Sequence, residues 1–184
     1  DQGLALSGKI KVETTSDDDF IGFVLGYQSG DAAVGATDFI LIDWKQGTQG
    51  LYGCTGKSGL AISRVNGGLP DSAVSWCHTG TTSELQRAAT LGSIGWADNT
   101  EYDFDLIFTS SNIRVKVNGS TELNVNGTFT PGSFGFYNYS QASVRYSALT
   151  QDVAPPNGVP EPGSPALVGL GLPGAGAVRR KPRQ

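Results

Sequence analysis

The second half of the chain consists of short segments in which polar and apolar residues alternate, with turns between them. These segments cover residues 102–109, 113–117, 122–125, 133–139 and 143–148, with Asn118-Gly119 and Pro131-Gly132 among the turns. Alternation with a period of two places side chains on opposite faces of a strand, and Asn-Gly and Pro-Gly pairs favour tight turns. Because no helical segment separates these strands, the sequence predicts an all-β, two-sheet antiparallel sandwich or jelly roll.

The first half of the chain predicts fewer but more apolar strands. Alternation covers residues 4–14, and apolar segments cover residues 20–27, 38–45 and 60–65. The segments at 20–27 and 38–45 are expected to form an antiparallel hairpin with a long connection. Residues 69–91 are predicted to be irregular. Residues 1–150 are therefore predicted to form one sandwich domain.

Three consecutive carboxylates, Asp17, Asp18 and Asp19, lie immediately ahead of the strand that begins at Phe20. A turn that brings several carboxylate oxygens together suits Ca²⁺, which takes about six to eight oxygen ligands. The alternative is an acidic turn in solvent, since Asp is a common turn residue. Asp43, on the next predicted strand, is the candidate for a further ligand; alternatively, it accepts a hydrogen bond from Lys45, Trp96 or a turn amide.

The charge distribution argues against one class of partner. The chain has a net charge of −4, and four of its 13 basic residues lie within the last six positions, at Arg179, Arg180, Lys181 and Arg183. The rest of the chain is therefore acidic and lacks the basic patch of a nucleic-acid-binding protein. An acidic surface of this kind suits divalent cations better than anionic partners.

The residues that catalysis would require are sparse. His78 is the only histidine, which excludes a multi-histidine zinc site, and no serine lies in a Gly-x-Ser-x-Gly motif. We expect His78 to be a packed, hydrogen-bonded loop residue. Glu101, Asp103 and Asp105 share one face of a predicted strand, at a spacing close to that of a retaining glycosidase pair. Because the opposite face is apolar, these carboxylates are expected to face water, and we predict that the protein is not an enzyme.

The cysteines and tryptophans each allow two interpretations. Cys54 and Cys77 are the only cysteines; a secreted chain would join them in one disulfide, whereas a cytosolic chain would keep two buried thiols. We expect the disulfide. Three tryptophans could stack on sugar rings if they were exposed, but in a sandwich of this composition they are expected to be core residues. They are Trp44, Trp76 and Trp96.

The composition changes after residue 150. Residues 151–158 contain Pro155-Pro156-Asn157-Gly158 and are typical of a linker. Residues 159–184 combine Val159-Pro160-Glu161-Pro162, an apolar run over residues 165–178 and a basic end. The apolar run is shorter than the roughly 20 residues that a membrane-spanning helix needs.

Five motifs follow one another between residues 9 and 148. They are Asp17-Asp18-Asp19-Phe20-Ile21-Gly22-Phe23 with Gly26-Tyr27-Gln28, Asp43-Trp44-Lys45-Gln46, Trp76 with His78-Thr79-Gly80, Ile94-Gly95-Trp96 with Tyr102, and Phe134-Gly135-Phe136-Tyr137-Asn138-Tyr139-Ser140-Gln141. In these motifs the chain resembles the thrombospondin C-terminal domain, a calcium-binding β-sandwich of the concanavalin A-like, or L-type lectin, class. The resemblance implies Ca²⁺ at Asp17, Asp18 and Asp19. That family normally carries further residues ahead of the strand at Ile10, which predicts a sandwich that is incomplete at its N-terminal edge.

Residues 159–184 resemble a PEP-CTERM sorting signal. The resemblance rests on Pro160, Glu161 and Pro162, on the apolar run, and on the basic cluster Arg179, Arg180 and Lys181. It implies export from a Gram-negative bacterium, transient membrane contact through the tail and processing by an exosortase. Pro173 interrupts the run, which departs from the usual signal.

These observations predict a secreted or surface-associated, non-catalytic calcium-binding module of the adhesion or extracellular-matrix type. Its expected partner is a matrix component or an exopolysaccharide. A carbohydrate-binding, lectin-like module of the bacterial surface is the alternative, and a glycoside hydrolase is the third hypothesis. All three share the predicted fold and differ in the residues that would contact a ligand.

Overall fold

The computed structural model describes residues 2–33 and 37–155 of the chain. These residues form twelve β-strands and one short α-helix. The strands are β1 (Leu4–Val12), β2 (Phe20–Tyr27), β3 (Asp38–Lys45), β4 (Gln49–Leu51), β5 (Cys54–Gly56), β6 (Gly59–Asn66), β7 (Thr82–Arg87), β8 (Glu101–Phe108), β9 (Asn112–Val117), β10 (Ser120–Asn126), β11 (Ser133–Tyr139) and β12 (Val144–Val153), and the helix is α1 (Ser72–Cys77).

Ten of these strands form two five-stranded antiparallel sheets. Sheet 1 has the order β10-β9-β8-β1-β12, and sheet 2 has the order β11-β2-β3-β6-β7. Strands β4 and β5 form a separate two-stranded hairpin. The prediction of an all-β, two-sheet antiparallel jelly-roll sandwich is therefore confirmed.

The main core lies between the two sheets and follows from the alternation in the sequence. In β9, Ile113, Val115 and Val117 are buried, and the residues between them are half-buried. On β3 the side chains of Ile42 and Trp44 belong to the same core cluster. Burying each large aliphatic side chain contributes about 1.5–3 kcal/mol to stability, so this layer holds the sheets together.

Strands β2 and β3 form the predicted hairpin. Phe20 lies opposite Lys45 and Gly22 lies opposite Asp43. Gly22 interrupts an otherwise apolar strand because a Cβ at this position would collide with the backbone carbonyl of Ile42. The close approach of β2 and β3 therefore requires glycine.

The structure differs from the sequence-based prediction in two regions. The segment 69–91, predicted to be irregular, contains α1 and β7. Asp71 caps α1 by accepting hydrogen bonds from the amides of Ala73 and Val74, but a six-residue helix is too short to show periodicity. Strand β12 extends into the predicted linker, because Val153 pairs with Leu4. Strand β1 has a partner on each side, β8 and β12.

The outer faces of the two sheets have different surroundings. Helix α1 and the hairpin β4–β5 lie over sheet 2, where the Trp76 ring packs against Phe20 at 5.5 Å between centroids. These two elements are the covering segment. A second buried cluster on sheet 2, formed by Phe39, Leu41 and Val65, packs against Tyr27, Leu69 and other residues outside the covering segment. The outer face of sheet 1 has no such cover among the described residues. Asp43 and Lys45 on sheet 2 are consequently buried, whereas Glu101 and Asp103 on sheet 1 are exposed.

Candidate metal centre

The acidic turn between β1 and β2 brings Asp17, Asp18 and Asp19 together. One carboxylate oxygen from each residue lies within 4.8 Å of the other two. Oxygen atoms that bind a common Ca²⁺ at about 2.3–2.6 Å are separated by no more than about 5 Å, so this spacing fits a calcium ion. Asp19 is buried, whereas Asp17 and Asp18 are half-buried. The turn therefore opens to solvent on the side of Asp17 and Asp18.

Distant loops fix the backbone of the acidic turn. The Asp19 amide donates to the Gln141 side chain at 3.0 Å, and the Trp96 indole N–H donates to the Asp19 carbonyl at 3.1 Å. The Gln46 amide donates to the Asp18 carbonyl at 3.2 Å. Three other sequence motifs, those that contain Gln46, Trp96 and Gln141, thus contact the acidic turn.

Lys45, at the end of β3, contacts the same carboxylates from the interior. Its ammonium group lies 3.2 Å from Asp18 Oδ1, 3.1 Å from Asp19 Oδ1 and 3.0 Å from the Asp18 carbonyl. The Gln49 side-chain oxygen is a fourth acceptor at 3.2 Å. The Lys45 side chain is 0% exposed. The acidic turn therefore contains one cationic group supplied by the chain itself.

Aromatic rings enclose the Lys45 ammonium on its remaining sides. The Nζ atom lies 4.6 Å from the Trp76 ring centroid and 5.4 Å from that of Phe20. Cations are attracted to aromatic ring faces at this range. Sequence reasoning did not assign Lys45 to the site. The predicted β2–β3 hairpin could have indicated Lys45, because its register pairs Lys45 with Phe20, the residue that follows Asp19.

The predicted fourth ligand, Asp43, has His78 as its partner. The alternative donors Lys45 and Trp96 were wrong, because both donate to the acidic turn instead. Its Oδ2 lies 2.8 Å from Nε2 of His78, and it is not among the carboxylates that converge in the acidic turn. Asp43 is 1% exposed, and its Oδ1 has no hydrogen-bond partner within the described part of the chain. The prediction that Asp43 binds calcium stays a prediction, and its contact with His78 does not support it.

His78 is a packed, hydrogen-bonded residue, as expected. It ends α1 in the left-handed backbone conformation, and its Nδ1 lies 3.4 Å from Glu84. Burial lowers the pKa of His78, but the charge of Asp43 and the hydrogen bond to it outweigh burial, so the pKa lies above its ordinary value. An Asp43–His78 ion pair therefore lies under the covering segment, two residues along β3 from Lys45.

A disulfide joins the two parts of the covering segment, the hairpin β4–β5 and helix α1. Cys54 in β5 and Cys77 in α1 form the predicted disulfide, with a Cα–Cα distance of 5.9 Å. The adjacent residues, Trp76 and His78, provide the ring over Lys45 and the partner of Asp43. The disulfide thus fixes the part of α1 that covers both buried charges.

The acidic residues that resembled a glycosidase pair lie on the uncovered face of sheet 1. Glu101 and Asp103 each lie 2.9 Å from the ammonium of Lys9, and Asp105 accepts a hydrogen bond from Ser7 at 2.6 Å. The Lys9 ammonium and the charge of Arg145 lower the pKa of Glu101. Glu101 and Asp103 face water and form ordinary ion pairs, as the alternation predicts, whereas Asp105 is half-buried beside Ser7.

The remaining predictions concern the tryptophans and the tail. The three tryptophans are between 2% and 4% exposed, which confirms them as core residues. Within the described residues, no helix is long and apolar enough to cross a membrane. The predicted sorting-signal residues lie outside the described residues, as does part of the predicted linker, residues 156–158. The sorting-signal residues are Pro160, Glu161, Pro162, Arg179, Arg180 and Lys181.

Known proteins share both the sequence and the fold of this chain. The family model of the thrombospondin C-terminal region matches residues 2–154. The chain is 32% identical over 161 residues to thrombospondin-2 of Gallus gallus, covering 78% of this chain and 13% of that protein. It is 28% identical over 165 residues to thrombospondin-4 of Bos taurus, covering 80% and 16%. The chain thus spans a small part of the length of these relatives.

A solved structure of a different protein has a similar fold. The carbohydrate-binding module CBM66 from Bacillus subtilis superposes with a TM-score of 0.56, covering 83% of this chain and 76% of that chain at 8% identity. This likeness concerns the β-sandwich alone. The family match over residues 2–154 covers both sheets and every residue of the acidic turn. The chain belongs to the family of the thrombospondin C-terminal region.

Proposed function

We propose that this chain is an extracellular, non-catalytic module that binds Ca²⁺ through Asp17, Asp18 and Asp19. The observation that carries the proposal is the convergence of three carboxylate oxygens within 4.8 Å, in a member of the thrombospondin C-terminal region family. The Cys54–Cys77 disulfide supports an extracellular location, because disulfides persist in oxidising compartments.

Each residue of the turn has a separate part in this proposal. Asp17 and Asp18 present oxygens on the solvent side, and Asp19 is held by Gln141 and Trp96. Bound Ca²⁺ would supply positive charge that offsets the repulsion between the carboxylates and stabilises the turn. No residue of the turn has a proposed part in chemistry on a substrate.

The sequence supports a wider role in adhesion or in an extracellular matrix. We propose a matrix component or an exopolysaccharide as the partner. The tail, with Pro160, Glu161, Pro162 and the basic cluster at its end, supports export from a Gram-negative bacterium and processing by an exosortase. Radiolabelled or mass-tagged tail peptides incubated with exosortase-containing membranes test this step, and intact peptides after incubation contradict it.

Calcium titration tests the proposal directly. Isothermal titration and thermal unfolding should show binding by the wild type that is abolished in the Asp17→Asn/Asp18→Asn variant. Occupancy at a hundredfold excess over Kd stabilises a fold by about 2.7 kcal/mol, which raises Tm by about 5–10 °C in a domain of this size. Glu101→Gln/Asp103→Asn removes two carboxylates from the uncovered face and is the matched control. Equal Tm values in calcium and in chelator would contradict the proposal.

A carbohydrate-binding module is a second candidate, and one feature of sheet 1 favours it. Two cavities of about 230 and 240 Å³ adjoin on its outer face and share Ser7 and Asp105 as lining residues. Arg114 and Lys116 line the first cavity. Polar groups of this kind can hydrogen-bond sugar hydroxyls, although the buried tryptophans provide no stacking surface. A glycan array with the wild type and the Asp105→Ala variant tests this candidate, and absence of binding across bacterial exopolysaccharides argues against it.

A further inference from the structure

The Lys45 ammonium is in an environment that resembles a cation-binding site. Four oxygen atoms surround it at 3.0–3.2 Å, and two aromatic rings cover it. An ammonium group has only three hydrogens to donate, so four acceptors exceed its hydrogen-bonding capacity and resemble a coordination shell. The side chain is also 0% exposed. Burial of a lysine this complete is tolerated only when its charge is compensated.

The contacts of Lys45 divide the acidic turn into two sides. The ammonium uses Oδ1 of Asp18 and Oδ1 of Asp19. Asp17 has no contact with Lys45; its carboxylate accepts the amide of Asp18 at 3.0 Å. The second carboxylate oxygens of Asp18 and Asp19 make no hydrogen bond to Lys45, so they can serve a ligand.

The net charge of the turn and of Lys45 limits the number of cations that the site can bind. Three carboxylates carry three negative charges and Lys45 carries one positive charge, which leaves two negative charges. One divalent ion neutralises this remainder, and a second would leave the site positively charged. At the short distances involved, a buried ammonium also repels a divalent cation bound to the same carboxylates.

We infer that Lys45 is a built-in first cation of the acidic turn, which holds the turn in shape without calcium, restricts it to one Ca²⁺ and lowers the affinity for that ion. This inference rests on the proposed calcium site. It implies that Lys45, a residue of sheet 2 that does not itself bind the metal, sets the affinity of the site for Ca²⁺. Lys45 is thus a positioning residue for the carboxylates.

Replacing the ammonium by an isosteric apolar side chain tests the inference. The Lys45→Met variant should bind Ca²⁺ about tenfold more tightly than the wild type, because the repulsion is removed. Its Tm should be lower than that of the wild type in chelator and should rise more on calcium addition. Lys57→Met removes an exposed lysine near the covering segment and is the matched control, with unchanged calcium affinity.

The outcomes separate this inference from the proposed function. A wild type that binds calcium together with a Lys45→Met variant of unchanged affinity overturns the inference and leaves the calcium site intact. A wild type that does not bind, together with a variant that does, overturns the proposed function and with it the single Ca²⁺ that the inference assigns to the wild type. Absence of binding in both overturns both.

A measurement on the wild type keeps the test decisive if Lys45→Met does not fold. In a chain labelled with ¹⁵N at lysine, the buried Lys45 ammonium should give a resonance protected from water exchange, both in chelator and at saturating Ca²⁺. Calorimetric titration of the same sample should give one calcium ion per chain. Loss of the protected resonance on calcium addition, or a stoichiometry of two, overturns the inference.

Discussion

The outer faces of the two sheets carry similar charged residues in contrasting environments. On sheet 1, Lys9 bridges Glu101 and Asp103 in water, and these side chains are between 37% and 64% exposed. On sheet 2, Lys45 and Asp43 are 0% and 1% exposed. Strands β2 and β3 of sheet 2 are buried almost throughout, whereas β8 and β9 of sheet 1 alternate between buried and more exposed residues. The covering segment accounts for this difference, because it removes water from the outer face of sheet 2.

The comparison indicates that an ion pair matters more for stability when the covering segment buries it than when it is exposed to water. In water, side-chain entropy and salt screening offset most of the attraction between two charges. In a buried pair, loss of one partner leaves the other charge without compensation, which costs much more. We expect the covered face to dominate the response to mutation and pH, and the uncovered face to respond weakly.

The largest expected difference concerns the removal of one carboxylate from each face. Asp43→Ala should lower the free energy of unfolding by about 3–5 kcal/mol, because it leaves His78 buried without its partner. Asp103→Ala should leave the free energy of unfolding within error of the wild type. Urea unfolding of both variants at neutral pH measures the difference. The Asp43→Asn variant retains an acceptor for His78, so its free energy of unfolding should lie between those of the two alanine variants. Equal losses of stability in Asp43→Ala and Asp103→Ala would contradict the expected difference between the two faces.

The disulfide should have a smaller and more local effect. Cys54 and Cys77 are separated by 23 residues, and opening a loop of this length costs about 3 kcal/mol in the chain-entropy account. In the Cys54→Ser/Cys77→Ser variant, hydrogen exchange should accelerate first in α1 and on sheet 2. The amides of β9 in sheet 1 are the internal control. If protection falls equally in both sheets, the disulfide does not act through the covering segment.

The smallest expected effect is a pH dependence carried by His78. Because Asp43 raises its pKa in the folded state, His78 contributes stability that is fully present below its unfolded pKa of about 6.5 and is lost as pH rises through the higher folded value. The stability of the wild type should therefore fall as pH rises in this window, by less than about 1.4 kcal/mol per pH unit.

Urea unfolding of the wild type and of His78→Gln across this pH range checks the effect. The variant should show a flatter profile, since Gln retains a hydrogen bond without titrating. Parallel profiles for the two proteins would show that the buried pair does not titrate with folding. On sheet 1, Glu101 should add no slope near neutral pH, because its hydrogen bond with Lys9 lowers its pKa below the ordinary value of a glutamate.

Local elements of the fold could be predicted from the sequence, whereas a short helix and the long-range partners of charged residues could not. The β2–β3 hairpin and the alternating strand β9 were predictable because short apolar runs and period-two patterns are local signals, confined to a few residues. Helix α1 was not, since six residues bounded by Asp71 and His78 are too few for a periodic signal. The partners of the charged residues lie far apart in sequence: Asp43 and His78 are 35 residues apart, and Trp96 and Asp19 are 77 residues apart.

The sequence alone determined the all-β sandwich, the position of the acidic turn and the two cysteines that pair. These features depend on local patterns or on residue types that have few alternatives. Only the tertiary structure decided that sheet 2 is covered, that Asp43 contacts His78 and that Lys45 is buried against Asp18 and Asp19. The physical reason is that alternation specifies two faces of a strand, whereas long-range packing decides which polar face loses its water.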